Sequence, residues 1–289
     1  HIIPWNYPAQ MLGRTLAPAL ATGNGTVLKP AEDACLSCLK IVELADEAGF
    51  PAGALNVVTG YGATAGASLA AHPDLDFISF TGSPEVGTLV QIASAEHHRA
   101  CVLELGGKSP QIIFSDADFA AALPIVVAGI VQNGGQTCSA GSRVLIQQEI
   151  FEAFTAELRN KINALVVGGH DQDLNCGPLI SAKQKSRVQA FIAQAETEDV
   201  RCMAQAQLDP AAPEEGYYIC PALYGPVPEN SALAQKEVFG PVLAAIPFKD
   251  EADAIRIAND TEFGLIAGVW TRDGARQMRV AKALRCGQV

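Results

Sequence analysis

Short β-prone runs alternate with helical stretches along the first third of the chain, and this alternation constrains the fold more than any other feature. Thr26-Val27-Leu28 is the first such run. The spacing predicts a helix opening at Pro30, running through Leu36, Leu39 and Val42 and stopping at Gly49. Leu55–Val58, Phe77–Phe80 and Cys101–Glu104 read as further strands. Between them, Gly60–Gly66 turns into one helix and Ser83-Pro84 opens another that runs to about Ala95. Strands separated by helices of this length are βαβ units, which build a parallel sheet with helices on both faces.

Beyond Gly106-Gly107 the pattern resumes with a strand at Gln111–Phe114, a helix at Asp118–Val131, a strand at Arg143–Ile146 and a helix at Glu149–Ala164. From Asp171 to Tyr224 the sequence reads as longer loops rich in Pro and Asp. A length of 289 residues suits about two domains, and the glycine pair marks the division into 1–106 and 107–289. The fold class expected is α/β throughout.

Charge excludes one class of partner. There are 31 acidic residues against 20 basic ones, a net of −11, and no Lys/Arg cluster to neutralise phosphates, so nucleic acid is not expected. The longest uncharged apolar run, Phe119–Val131, contains Pro124 and Gly129 and falls short of the ~20 residues that cross a bilayer. It reads as a buried helix, and no membrane partner is expected. The opening His-Ile-Ile-Pro-Trp has neither an initiator Met nor a signal peptide, and both ends read as lost. Eight scattered cysteines read as reduced thiols, which suits the cytoplasm.

Several local patterns bear on chemistry. Gly60-x-Gly62-x-x-x-Gly66 is one residue longer than the dinucleotide fingerprint, and turn glycines explain it equally well. In Gly82-Ser83-Pro84, Ser83 suits an N-cap and Pro84 the first helical position, giving an anion site or an ordinary capped helix. Lys29 and Glu32 follow a strand's carboxyl end, where a carboxylate can accept from ribose hydroxyls; a solvated pair at a helix start is the plainer alternative. Cys138 lies among Gly, Gln, Thr and Ser rather than apolar neighbours, the setting of a thiol presented for reaction. Glu104, ahead of Gly106-Gly107, is a candidate general base. Cys35 and Cys38 share one side of a helix, but no second pair matches them and zinc needs about four ligands, so no metal is expected.

Taken in order, Pro4-Trp5-Asn6-Tyr7-Pro8, Lys29-Pro30-Ala31-Glu32, Phe80-Thr81-Gly82-Ser83, Glu104-Leu105-Gly106-Gly107-Lys108, Gly135-Gln136-Thr137-Cys138, Glu237-Val238-Phe239-Gly240-Pro241 and Gly268-Val269-Trp270-Thr271 resemble the aldehyde dehydrogenase superfamily. The resemblance implies a Rossmann-like cofactor domain at 1–106 and a second α/β catalytic domain at 107–289. It also implies NAD as cofactor, with NADP accepted less well, and an aldehyde as substrate. By the same resemblance Cys138 is the nucleophile, Glu104 the base that activates water, and Asn6 an oxyanion donor beside the Cys138 N–H. Lys29 and Glu32 would hold the adenosine ribose and Ser83 the pyrophosphate. Glu237 and Phe239 would hold the nicotinamide end, with Trp5, Gly82 and Leu105 also in the cofactor site. A family member has further segments at both ends and assembles as a homodimer or homotetramer; without them this chain is not expected to assemble normally. Two rivals stand beside this reading: an acylating relative that releases the thioester to coenzyme A, against which Glu104 argues, and a catalytically silent scaffold.

Overall fold

The computed structural model describes residues 1–289, and the chain divides into two compact units, His1–Gly106 and Gly107–Val289.

The first unit contains α1 (Pro8–Ala21), β1 (Thr26–Leu28), α2 (Leu36–Glu47), β2 (Leu55–Val57), α3 (Ala67–Ala70), β3 (Phe77–Thr81), α4 (Pro84–Glu96) and β4 (Ala100–Glu104). β1 pairs with β2 and β3 with β4, both in parallel. The two pairs are joined by the Ile2–Ile3 segment. Ile2 bridges in parallel to Lys29 on one side and Phe80 on the other. Its N–H donates to Ser79 O (2.9 Å), Ile3 N–H donates to Lys29 O (3.1 Å), and Ile2 O accepts from Thr81 N–H (3.1 Å). Counting this segment as the first strand, the order across the array is third-second-first-fourth-fifth, the Rossmann order. Ligands bind such sheets at the carboxyl ends, where the strand order reverses. Here the reversal lies between Ile2–Ile3, which leads into Trp5-Asn6, and β3, which leads into Gly82-Ser83.

One face of this array packs under α1 and α2 through Ile3, Leu12, Leu16, Leu28 and Cys38. The other packs under α3 and α4 through Ala70, Ile78, Phe80 and Val90. Two expectations need correction. The helix after β1 does not open at Pro30: a 3-10 turn at Glu32–Ala34 intervenes, and α2 begins at Leu36. Ala31 after the proline is still extended (φ −61°, ψ 143°), so helical backbone starts only at Glu32, within reach of Lys29 at the strand end. α1 was not expected at all, although Pro8 at its start and the 12/16/20 leucine stripe are helical signals.

The second unit contains β5 (Pro110–Ile113), α5 (Phe119–Val131), β6 (Arg143–Gln147), α6 (Phe151–Asn163), β7 (Val166–Val167), α7 (Ala182–Thr197), β8 (Cys202–Gln205), β9 (Gln207–Leu208), β10 (Ala222–Tyr224), α8 (Ala232–Gln235), β11 (Val242–Phe248), α9 (Glu251–Asn259), β12 (Gly268–Trp270) and α10 (Gly274–Ala283). Its sheet runs β12-β5-β6-β11-β10-β8, parallel except for the last pair. The period of two along β6 and β11 separates two cores. Leu145, Ala244 and Ile246 point to one core, with Val188 and Ile257. Val144, Ile146, Leu243 and Ala245 point to the other, with Val126 and Leu158. Strands buried on both faces explain why these runs are apolar throughout.

α7 corrects the expectation of loops between Asp171 and Tyr224. It is capped by Ser181, whose hydroxyl accepts from Gln184 N–H. Its Val188, Phe191, Ile192 and Ala195 form an i, i+3, i+4, i+7 stripe against the core. α5 is buried along one side only, at Ala122, Leu123, Val126, Val127 and Ile130, while Ile125 is exposed. No helix is long and apolar enough to cross a membrane.

Arg143, at the start of β6, is almost fully buried. It donates from Nε to Lys108 O (2.8 Å), from Nη1 to Ile257 O (3.0 Å) and from Nη2 to Ala258 O (2.8 Å). It thereby satisfies carbonyls that the end of α9 leaves open. Burial pushes its pKa down to about 10, against the opposing pull of Asp260.

Candidate active site

In the second unit, α5 delivers the chain into a turn at Gln132–Gly135, where Asn133 (φ 53°), Gly134 (φ 64°) and Gly135 (φ 71°) are left-handed in succession. Gly135 is required by contact as well as by φ: a Cβ there would lie 2.3 Å from the Gly240 backbone. Buried Gln136 locks the turn. Its Nε2 donates to Asn133 O (2.8 Å) and its Oε1 accepts from Ile180 N–H (3.0 Å). The chain then folds once more, with Ala140 N–H donating to Thr137 O (3.0 Å), and enters β6. Cys138 is the second residue of this last turn and is half-buried. The two turns fix the backbone of the thiol-bearing residue through the Gln136 side-chain bonds and the Ala140 N–H bond.

Gly107 meets this turn closely. A Cβ at Gly107 would lie 2.2 Å from the Cys138 carbonyl oxygen, so only glycine fits. The Gly107 N–H donates to Glu237 Oε1 (3.0 Å). Glu237 and Cys138 are thus linked through one glycine. α7 holds the Glu237–Phe239 stretch from its other side. Arg187 Nη2 donates to Glu237 O (2.7 Å), and Gln184 Nε2 donates to Phe239 O (2.7 Å). Phe239 has φ 59°, a conformation that costs a non-glycine residue on the order of 1–3 kcal/mol. Those side-chain bonds keep it there.

Two further features concern ionisation: Lys108 in the second unit, and the thiols of both units. Lys108 is 2% exposed. Burial, then the neighbouring Arg143 charge, pushes its pKa down to about 7 against the pull of Glu237. The thiols form the other feature: all eight cysteines are free. Burial raises the pKa of Cys38, Cys202, Cys220 and Cys286, and pushes Cys176 up to about 11.

In the first unit, Asn6 and Trp5 follow the Ile2–Ile3 segment directly into α1, and both are half-buried. Ser83 caps α4, its hydroxyl accepting from Val86 N–H (3.4 Å), with Pro84 at the first helical position. Gly82 lies over the Phe80 ring, where a Cβ would clash at 2.5 Å, and Gly87 admits Leu105 in the same way. Lys29 is not the solvated residue that the plainer alternative required. It is 2% exposed and donates from Nζ to Glu32 Oε2 (2.9 Å). Burial alone would raise the Glu32 pKa, but the Lys29 bond, backbone donors and the Lys29 charge together hold it below the usual range. Gly62 N–H approaches Glu32 Oε1 at 3.4 Å, which ties the Gly60 loop to the carboxylate.

Glu104 ends β4. Its Cα pairs with Thr81, its carbonyl accepts from Gly82 N–H (3.0 Å), and its carboxylate Oε1 accepts from Arg14 Nη2 (2.6 Å). Both side chains line a groove of about 570 Å³ along with Pro18, Thr22, Ser79 and Thr81. The contact between Arg14 and Glu104 was not legible in the sequence, since nothing there placed a helix at Pro8–Ala21.

Comparison with known proteins decides the family. Residues 1–289 match the profile described as the Aldehyde dehydrogenase family. The chain belongs to that family. It is 42% identical over 290 residues to a hydroxyisobutyraldehyde dehydrogenase of Mycolicibacterium austroafricanum, covering 100% of this chain and 57% of that protein. It superposes with a TM-score of 0.99, at 59% identity, on a provisionally named aldehyde dehydrogenase from Burkholderia cenocepacia, covering 100% of this chain and 61% of that one. A betaine aldehyde dehydrogenase from Staphylococcus aureus, solved with NAD+, superposes with a TM-score of 0.96 at 36% identity, over 100% of this chain and 57% of that one. The chain therefore spans a little under three-fifths of the length of the curated relatives it matches. Its own residues fit a dinucleotide: a charged carboxylate suited to a diol stands at one strand end, and a capped helix start suited to phosphate stands at another.

The close fit at Gly107 yields a direct test. Gly107→Ala is expected to destabilise the protein by about 1–3 kcal/mol, the usual scale for overpacking. Turnover is expected to fall by about 10²-fold if the Cys138 turn shifts by roughly an ångström. Urea unfolding and steady-state rates read the two effects; wild-type values in both would remove the packing argument.

Proposed function

We propose that this chain carries the chemistry of an NAD-dependent, non-acylating aldehyde dehydrogenase, with 1–106 as the cofactor-binding domain and 107–289 as the catalytic domain. The observation that carries this is the Cys138 turn: a half-buried thiol on a backbone-locked polar turn, with Gly107 and Glu237 drawn up against it.

In this reading the Cys138 thiolate adds to the aldehyde carbon, and the carbonyl oxygen becomes an oxyanion that the Asn6 amide and the Cys138 N–H stabilise. The chemistry that bound NAD supplies is acceptance of the hydride leaving that tetrahedral carbon. What remains on Cys138 is a thioester. Glu104 takes a proton from water, the water oxygen adds to the acyl carbon, and the thiolate departs from the carboxylic acid. Lys29 and Glu32 hold the adenosine ribose and Ser83 the pyrophosphate. Glu237 and Phe239 orient the nicotinamide end, and Trp5, Gly82 and Leu105 complete the cofactor site.

The test is aldehyde-dependent formation of NADH by the full-length protein across aliphatic, aromatic and amino aldehydes. No NADH with any of them supports the silent scaffold instead, and NADH formation that requires coenzyme A supports the acylating relative. We further propose a cytoplasmic homo-oligomer for the full-length protein.

Glu32 sets the cofactor preference. A carboxylate accepts from both ribose hydroxyls, whereas a 2′-phosphate would bring negative charge against it and remove one donor. The expected discrimination is about 1–3 kcal/mol, the scale of a hydrogen bond to a charged group. Lys29, already on Glu32 Oε2, softens the repulsion, so NADP is still used. Glu32→Ser is expected to narrow the gap chiefly by improving NADP use, read as kcat/KM for each cofactor. Equal use of both by the unmutated enzyme would show that the carboxylate does not govern the choice.

A further inference from the structure

Two arginines in this chain show what a structural guanidinium looks like and what an exchangeable one looks like. Arg143 spends all three nitrogens on buried carbonyls. Arg14 gives a single bond, Nη2 to Glu104 Oε1 at 2.6 Å, with half of its side chain in solvent and 31% of the Glu104 side chain exposed. Within this chain the Arg14 guanidinium meets Glu104 alone. We propose that Arg14 is a positioning residue for Glu104: the ion pair holds the carboxylate against α1, and it opens when Glu104 activates water. This rests on the reading of Glu104 as the general base.

The backbone under Glu104 is fixed by the β3 pairing and the Gly82 N–H bond, so motion of the carboxylate is motion of its side chain alone. A carboxylate that is to take a proton from water must present a free oxygen in the right place. Here Oε1 is committed to Arg14, which lies about two helical turns beyond the Trp5-Asn6 end of α1. A charge-assisted bond of this length fixes the direction in which the carboxylate points. Because both partners reach solvent, the pair is weak enough to open on every turnover. The two arrangements, paired and released, share one backbone and differ only in side-chain torsions.

The experiment uses the full-length protein with NAD and an aldehyde that gives a pre-steady-state burst of NADH, so that thioester hydrolysis limits the steady state. Arg14→Gln is expected to leave the burst rate unchanged and to raise steady-state turnover about two- to fivefold, the range that an exposed ion pair spans. Raising ionic strength is expected to speed the steady state of the wild type and leave Arg14→Gln unaffected, since salt screens the pair only where it exists. Arg14→Lys, which keeps the charge, is expected to behave as the wild type.

Slower hydrolysis in Arg14→Gln with an intact burst would overturn the proposal, because Arg14 would then hold the base in its working position. Equal rates with no difference in salt response would also overturn it. A wild type that hydrolyses its thioester yet keeps its rate on Glu104→Gln would instead sink the reading of Glu104 as base, and this proposal with it.

Discussion

Cys138→Ala is expected to bring aldehyde-dependent NADH formation to background while NAD binding stays at its wild-type level. Alanine removes the only atom that can carry the acyl group, and no neighbouring side chain in the Asn133–Arg143 segment is a comparable nucleophile. The substitution is otherwise mild. Cys138 is held by backbone bonds on its turn, with Ala140 N–H on Thr137 O and Gln136 bracing the residues before it. The Lys29–Glu32 pair and the Ser83 cap form without any contribution from Cys138. Equilibrium binding of NAD, followed by fluorescence quenching or calorimetry, measures one half of the expectation and stopped-flow absorbance the other. Retained turnover would end the thioester mechanism for this protein. Lost turnover accompanied by lost NAD binding would point to damage of the fold rather than removal of the nucleophile.

Glu104→Gln carries the second-largest expected effect, because it separates the two halves of the reaction. Thiohemiacetal formation and oxidation need the thiolate; release of the acid needs a base for water. Removing a positioned general base costs about 10²–10⁴-fold. The burst of NADH should therefore survive while the steady state falls by that factor. Glutamine keeps the shape of the side chain and can still meet Arg14 through its carbonyl oxygen, so the local packing is preserved. A variant that loses its burst as well would show that Glu104 ionises the thiol, which is the competing role for this residue.

Much of the parallel framework was legible because buried parallel strands carry dense apolar runs. Phe77–Phe80, Gln111–Phe114 and Arg143–Ile146 were each read to within a residue or so of their observed limits. The Ile2–Ile3 segment was not legible. A strand of that length has no periodicity, and its identity lies wholly in hydrogen bonds to β1 and β3. That segment nonetheless supplies the central position of the array and hence the reversal of strand order. α7 was missed for a different reason. Its apolar stripe is sound, but Lys, Gln and Ser fill the remaining positions and Pro and Asp crowd the flanks, so the segment resembled loop.

The candidate site divides along similar lines. The polar, small-residue setting of Cys138 is a local property and could be read directly. The demand for glycine at 107 is not local, because it comes from the carbonyl of a residue in a distant turn. Lys29 and Glu32 could be placed at a strand end from sequence, but the burial of the lysine could not, since it depends on packing around the 3-10 turn that replaced the expected helix start. Arg14 depends on a long-range meeting between α1 and the end of β4, and no short-range pattern announces it.

The raised pKa of five of the thiols has a consequence for oxidative chemistry. Peroxides and related oxidants react with thiolates, and the first product, a sulfenic acid, leads on to irreversible sulfinic and sulfonic acids. Each unit by which burial raises a thiol's pKa cuts its thiolate fraction at neutral pH about tenfold. Cys176, at about 11, and Cys38, Cys202, Cys220 and Cys286, all raised, are therefore slow to enter that ladder. Oxidative damage is thereby slowed at Cys38 and Cys176, the two sulfurs packed inside the cores of their units.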